Sequence, residues 1–399
     1  MNALIKNENK RNLILLIFGI ILIAANLRAV FMGIGPLISQ IHSDTEISNG
    51  LSGLLTTIPL IAFASISPIT SEIARRFGVE KTLFISLITL SAGIFIRSIP
   101  SVYFLFIGTI IIGAGIAICN VLLPSVITRD FSRDKVGIMT GIYAISMGLF
   151  AAFTSSVSIP LSHSIGWRGA LMLPEIFTIL AVVMWLPQVS RKQKHPKIIE
   201  QVEKQVPHNV WSSKLAWYIS LFMGLQSFGV YVTVAWLPAI FIEHGMSATS
   251  SAFMLTLIQF ISLPVMFIAP IIAGHRKSQS FLVIIATLLG IIGYLTLFSS
   301  TLTVNLIGAA LIGICQGANA SLAIMFFSLR ARNVQQSAAL SGMAQSIGYI
   351  IAAIGPILFG ELHDIYSTWT ISIFVLIIFT VAQLAMGWRA GKDEYITKV

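Results

Sequence analysis

Apolar residues in this chain fall into long blocks separated by brief polar punctuation. The blocks run over 13–40, 49–73, 82–99, 102–128, 136–160, 168–188, 215–242, 249–273, 280–299, 303–328, 336–360 and 368–388. Most meet or exceed the roughly 20 residues that a helix needs to cross the hydrocarbon of a bilayer. The pattern therefore predicts twelve membrane-spanning helices. It lacks the ten-residue alternation of a membrane β-barrel, and helices satisfy their backbone groups internally.

The punctuation carries its own information. Of the 25 Lys and Arg residues, 22 lie in the tails and alternate connections, leaving only Arg28, Arg97 and Arg168 elsewhere. Basic residues concentrate on the cytoplasmic side of membrane proteins. Both termini are thus expected in the cytoplasm, and the net charge of +10 is a topological signal with no nucleic-acid partner implied. The longest polar connection sets the expected division: a six-helix bundle over 1–188, a cytoplasmic linker over 189–214, and a second bundle with a short tail over 215–399. At a shift of 200 Gly113 meets Gly313, Ser146 meets Ser346 and Gly148 meets Gly348, while a shift of 201 pairs Arg129 with Arg330. An internal duplication is expected, and parallel six-span repeats point to a transporter with its site near mid-membrane.

Composition agrees with 56% hydrophobic and 10% charged residues and a mean hydropathy of +0.89, far from the soluble range. The first block is too long for a signal-peptide core and lacks a small-residue cleavage pattern, so it is expected to be retained. Cys119 and Cys315 have no metal-ligand spacing and read as small packing residues. Ser43-Asp44-Thr45-Glu46 has the form of a capping box opening the second span. No phosphate-binding loop is present, so no cofactor, metal or ATP hydrolysis is expected.

One residue departs from the apolar logic of its block. Arg28 lies in Ala24-Ala25-Asn26-Leu27-Arg28-Ala29-Val30, at roughly 25 Å from Arg11 and 21 Å from His42 along a helix. An ionised side chain at that depth is costly and marks a functional candidate. Its planar fork suits an oxyanion or nitro group, with an ion pair to a carboxylate as the alternative. Glu175 is the one carboxylate deep in a span, a candidate for proton coupling or for pairing with Arg28.

Several motifs carry a resemblance to the major facilitator superfamily over essentially the whole chain. Between the second and third spans, Ser71-Glu72-Ile73-Ala74-Arg75-Arg76-Phe77-Gly78-Val79-Glu80-Lys81 resembles the family's loop signature, keeping Arg76 and Gly78 but not its Gly and Asp. Asn26-Leu27-Arg28, Gly33-Ile34-Gly35-Pro36-Leu37, the run Gly113 to Pro124, Arg129-Asp130-Phe131 and Gly166-Trp167-Arg168 are similar to the cyanate and 2-nitroimidazole transporter branch. The resemblance implies an all-α membrane fold of twelve helices in two pseudo-symmetric six-helix bundles. It also implies that spans one, four, seven and ten line the cavity. Substrate contacts then fall to Arg28, Asn26, Asn120, Tyr231, Gln316 and Asn319, and gating to Arg75, Arg76, Gly78, Arg129 and Asp130, with Glu72 able to join them.

The expected function is secondary transport of a small polar solute, a cyanate-like anion or a nitro-heterocycle. It runs by alternating access in the plasma membrane, proton-coupled, in a monomer, and without enzymatic chemistry. Drug efflux is the alternative, weakened because Gly148 is followed by Ala152-Phe153 where the drug-antiporter signature has Gly-Pro. A non-transporting sensor is the third choice, and it lacks an output domain.

Overall fold

The computed structural model describes residues 2–47, 49–189 and 210–396, so residues 190–209 of the expected linker lie outside the described residues. Thirteen α-helices account for nearly all of the described chain, which contains no strand. In chain order they are α1 Asn2–Met32, α2 Ile34–Thr45, α3 Asn49–Phe77, α4 Val79–Arg97, α5 Val102–Asp130, α6 Arg133–Leu171 and α7 Leu173–Val189. The series continues with α8 Lys214–Glu243, α9 Ala248–Gly274, α10 Ser280–Leu295, α11 Leu302–Leu329, α12 Val334–Tyr366 and α13 Thr370–Ala390. Among the described residues, ten segments are long and apolar enough to cross a membrane, the first running from Leu13 through α1 into α2 as far as Leu37. The expected second and sixth spans correspond to α3, of 29 residues, and α7, of 17.

Large apolar side chains cover the outside of these helices. Phe260 is 72% exposed and Ile378 63%, a distribution that suits lipid tails and would aggregate in water. Two glycines mark breaks where a β-carbon would be strained. Gly78, at φ 86°, caps α4 at the loop signature, and Gly166, at φ 75°, divides α6 just where the sequence separates spans five and six.

The capping box expected at Ser43–Glu46 does not form. Those residues close α2 instead of opening α3. Glu46 is the left-handed C-cap at φ 55°, and the hydroxyls of Ser43 and Thr45 donate backward to the carbonyls of Gln40 and Ile41. Asp44 accepts from Trp167 Nε1 at 2.8 Å and from Arg168 at 2.9 Å, which holds its carboxyl below the usual carboxylate range. Arg168 in turn lies over the Trp167 ring, 4.1 Å from its centroid. A local rule thus yielded to a tertiary one, because a carboxylate gains more from two fixed donors than from a helix start.

Two compact units emerge, Met1–Val126 with Ile142–Pro207, and Ile127–Gly141 with His208–Val399. Each contains its own apolar core, around Ile34, Leu37, Trp167 and Leu171 in the first and around Phe228, Ile258, Ile312 and Phe359 in the second. Their internal packing repeats. In the first unit α7 packs on α1 and α4, and in the second α13 packs on α8 and α10. The repetition extends to single contacts. A β-carbon at Gly93 would lie 2.8 Å from the Ile112 nitrogen and 3.1 Å from the Gly108 oxygen, and one at Gly293 would lie 3.1 Å and 2.9 Å from the same atoms of Ile312 and Gly308. These pairs, all 200 positions apart, support the duplication more strongly than the identities the sequence comparison had used. A GxxxG in α6 permits the same close approach, since β-carbons at Gly137 and Gly141 would run into the Pro270 and Phe267 carbonyl oxygens of α9.

Leucine at Gly93 or Gly293 must push apart helices that touch backbone to backbone, and overpacking of this kind costs about 1–3 kcal/mol. Each variant should therefore melt several degrees below the parent protein in detergent. Gly35→Ala, whose β-carbon would meet nothing within 4 Å, should melt with the parent.

Candidate functional site

Arg28 sits on α1, half-buried. Among the described residues its guanidinium makes no hydrogen bond or ion pair. Asn26, two residues earlier, points elsewhere: it is wholly buried, donates to Leu22 O at 2.8 Å and accepts from Thr178 Oγ1 of α7 at 2.7 Å. The oxygen fastens α7 to α1 while the nitrogen bonds within α1, so both ends of the amide are already engaged with helices.

The pairing of Glu175 with Arg28 is not formed. Glu175 occupies the first turn of α7, where the exposed amides of a helix start favour a carboxylate. Its Oε1 accepts from Ser91 of α4 at 2.5 Å, while its buried Oε2 has no partner among the described residues. Pro174 stands in the same first turn, where its missing N–H breaks no helical bond, so it does not loosen the helix.

On α5, Asn120 accepts from Tyr143 Oη of α6 at 3.3 Å. Its oxygen is occupied and its two N–H groups are left to donate. The second unit shows the reverse arrangement. Gln316 on α11 donates from Nε2 to Thr233 Oγ1 of α8 at 2.9 Å and to Tyr294 Oη of α10 at 3.3 Å, which leaves its oxygen to accept. Asn319 is fully buried and donates to Thr287 Oγ1 and Cys315 Sγ, with no partner for its oxygen among the described residues. It braces α11 against α10. Tyr231 is half-buried on α8. Thr233 and Tyr294 escaped the sequence reading because hydroxyls in apolar runs carry no spacing signal.

The expected gating residues form local pairs. Arg75 grips Glu72 with two bonds of 2.7 and 2.8 Å, Arg76 adds a third at 2.9 Å, and Arg129 pairs with its neighbour Asp130 at 2.6 Å. Gly78 supplies the turn between α3 and α4.

Two arginines that sequence reasoning passed over prove to be the fully buried ones. Arg97 donates to Val30 O at 3.1 Å and Leu171 O at 2.9 Å, carbonyls in the last turns of α1 and α6. The negative ends of two helix dipoles thus serve in place of a carboxylate. Arg330 donates to Ala390 O at 3.0 Å and Gly391 O at 2.9 Å at the end of α13, and also to Gln279 Oε1. Both cations are committed to holding helix ends, which sets Arg28 apart.

The profile of the Major Facilitator Superfamily matches residues 16–356. The chain is 43% identical to the "Uncharacterized transporter YycB" of Bacillus subtilis (strain 168), covering 96% of this chain and 94% of that one. It is 40% identical to the "2-nitroimidazole transporter" of Escherichia coli (strain K12), covering 97% and 98%. Among solved structures, the proton:xylose symporter XylE matches in fold at a TM-score of 0.76 and 15% identity, over 95% of this chain and 97% of the other. With its helical repeat, its lipid-facing surface and its mid-span arginine, the chain belongs to the major facilitator superfamily and is a secondary transporter.

Proposed function

We propose that this transporter moves a small planar nitro-heterocycle across the plasma membrane by alternating access, driven by protons. The carrying observation is Arg28, whose guanidinium makes no hydrogen bond or ion pair among the described residues, while Arg97 and Arg330 already donate to helix-end carbonyls. A nitro group offers two coplanar oxygens that match the guanidinium fork, and the N–H groups of Asn120 extend the same donor chemistry. The free oxygen of Gln316 requires a donor from the solute, which an azole N–H provides. The 40% identity to the 2-nitroimidazole transporter favours this solute class. A small anion of the cyanate type is the second reading, since it satisfies Arg28 but has no N–H for Gln316. Tyr231, Asn319 and Asn26 then support the site through packing.

Orientation follows from charge. Both termini and the 189–214 linker are cytoplasmic in this reading, because basic residues gather at that end of the spans, and the bundles 1–188 and 215–399 are the moving parts. Arg75, Arg76 and Gly78, with Arg129 and Asp130, work at the cytoplasmic gate. Glu175 carries the coupling proton, supported by its burial, its single hydroxyl partner and its unpartnered second oxygen.

Binding of 2-nitroimidazole to purified protein tests the solute assignment directly. Arg28→Lys keeps charge but loses the fork and should weaken binding, and Arg28→Ala should weaken it about 30-fold or more, the effect of about 2 kcal/mol or above for a lost charged partner. N1-methylation of the solute should cost affinity in the parent protein and little in Gln316→Leu. Parent-like binding by a folded Arg28→Ala would refute the site.

In proteoliposomes, Glu175→Gln should remove the acceleration of uptake by a pH gradient while sparing solute exchange at equal pH. An unchanged gradient response would return Glu175 to helix packing alone.

A single cysteine at position 200 should resist impermeant reagents added to intact cells and react after permeabilisation. Efficient labelling from outside would reverse the assigned orientation.

A further inference from the structure

The chain beyond α13 turns back across the end of the second unit. Its near end is anchored deeply. Arg330, fully buried at the end of α11, donates to Ala390 O and Gly391 O. Gly391 O also accepts from Gln279 N at 2.8 Å and Ser278 Oγ at 3.1 Å. A β-carbon at Gly391 would lie 2.6 Å from Ser280 N, so glycine is needed for so close a seat. At the far end, Ile396 N donates to Arg330 O at 3.0 Å, closing the segment into a loop around that arginine.

Between these points the segment reaches the junction of α5 and α6. Arg133 donates to Asp393 Oδ1 at 2.9 Å and to Tyr395 Oη at 2.7 Å. Arg332, from the junction of α11 and α12, lies 5.0 Å from the Tyr395 ring centroid on a cation–π contact, and Arg133 lies at 5.7 Å. Asp393 also faces Arg330 at 3.8 Å. Beneath Tyr395 is a small cavity lined by Thr128, Phe131, Val136, Ser328 and Leu329, residues of both junctions.

The two attachments differ in physical character. The Arg330 contacts are buried, and separating them would strand a cation and several carbonyls away from water. The Arg133–Asp393 pair is open to solvent at 56% and 39% side-chain exposure, so water and salt compete with it directly. The Arg330 contacts at the two ends are the pivot, and the exposed pair between them is the catch.

We propose that residues 391–396 form a releasable strap: pivoted on Arg330 and latched at Arg133, it holds the α5–α6 junction against the α11–α12 junction and lifts when that face opens. The proposal rests on the alternating-access reading for its purpose, and its geometry is independent of which solute is carried.

Ser328→Cys in a background lacking Cys119 and Cys315 reports on the cavity under Tyr395, because Ser328 is buried while the strap lies down. In inside-out vesicles and without solute, Arg133→Ala and Asp393→Ala should each raise its labelling rate several-fold, as should high salt in the parent. Arg133→Asp combined with Asp393→Arg should restore slow labelling, which a merely local loss of packing would not do. Both positions are exposed, and melting temperatures close to the parent's would verify folding. Parent-like labelling in the single variants, or fast labelling in the swap, would overturn the strap. Loss of solute binding with these labelling results intact would count against the proposed solute and leave the strap standing.

Discussion

A bilayer interior offers no water to satisfy a polar group, and this one constraint organises the molecule. Every backbone must bond within its own helix, and every embedded side-chain donor must find an acceptor that the fold supplies. The arginines show how this is met. Arg97 and Arg330 lie at helix ends, where the last turns leave carbonyls without intrahelical partners, so each problem solves the other. Arg28 lies within a helix whose carbonyls are already bonded. It needs a partner from outside the regular structure, and in a transporter the solute can be that partner.

The same constraint explains the glycines. Lipid tails are as apolar as leucine, so helix association in a membrane depends on close van der Waals approach and on hydrogen bonds between helices. Gly93, Gly108, Gly293 and Gly308 let α4 meet α5 and α10 meet α11 along their backbones. Asn26–Thr178, Glu175–Ser91 and Asn319–Thr287 supply the polar fastenings beside them. These contacts lie inside the two units and make each one stiff. The exposed pair between Arg133 and Asp393, also inside the second unit, is a weaker contact because water and salt compete with it.

Stiffness also bears on recognition. An amide can present either a donor or an acceptor, and which one is decided by what its other end already bonds. Tyr143 engages the oxygen of Asn120, while Thr233 and Tyr294 engage the nitrogen of Gln316. Two chemically similar side chains thereby acquire opposite polarity. In the proposed site, the groups that set this polarity are ones that do not touch the solute.

Much was legible in the chain alone. Helices, spans, the concentration of basic residues in alternate connections and the singular position of Arg28 all follow from hydropathy and charge, because a membrane acts on each segment locally and independently of its neighbours. The duplication was visible too, though at Gly113 and Gly313 more than at the glycine pairs that matter most for packing. Other features were not legible. Asp44 looked like the start of a helix and became the acceptor for Trp167 and Arg168; Asn26 looked like a ligand and became a fastening; Glu175 met Ser91 in place of Arg28. The buried roles of Arg97 and Arg330 and the return of the C-terminal segment likewise waited for the tertiary structure. Hydrogen bonds between distant helices depend on rotation about each helix axis and on which faces meet, and a one-dimensional pattern of apolar blocks leaves those angles undetermined.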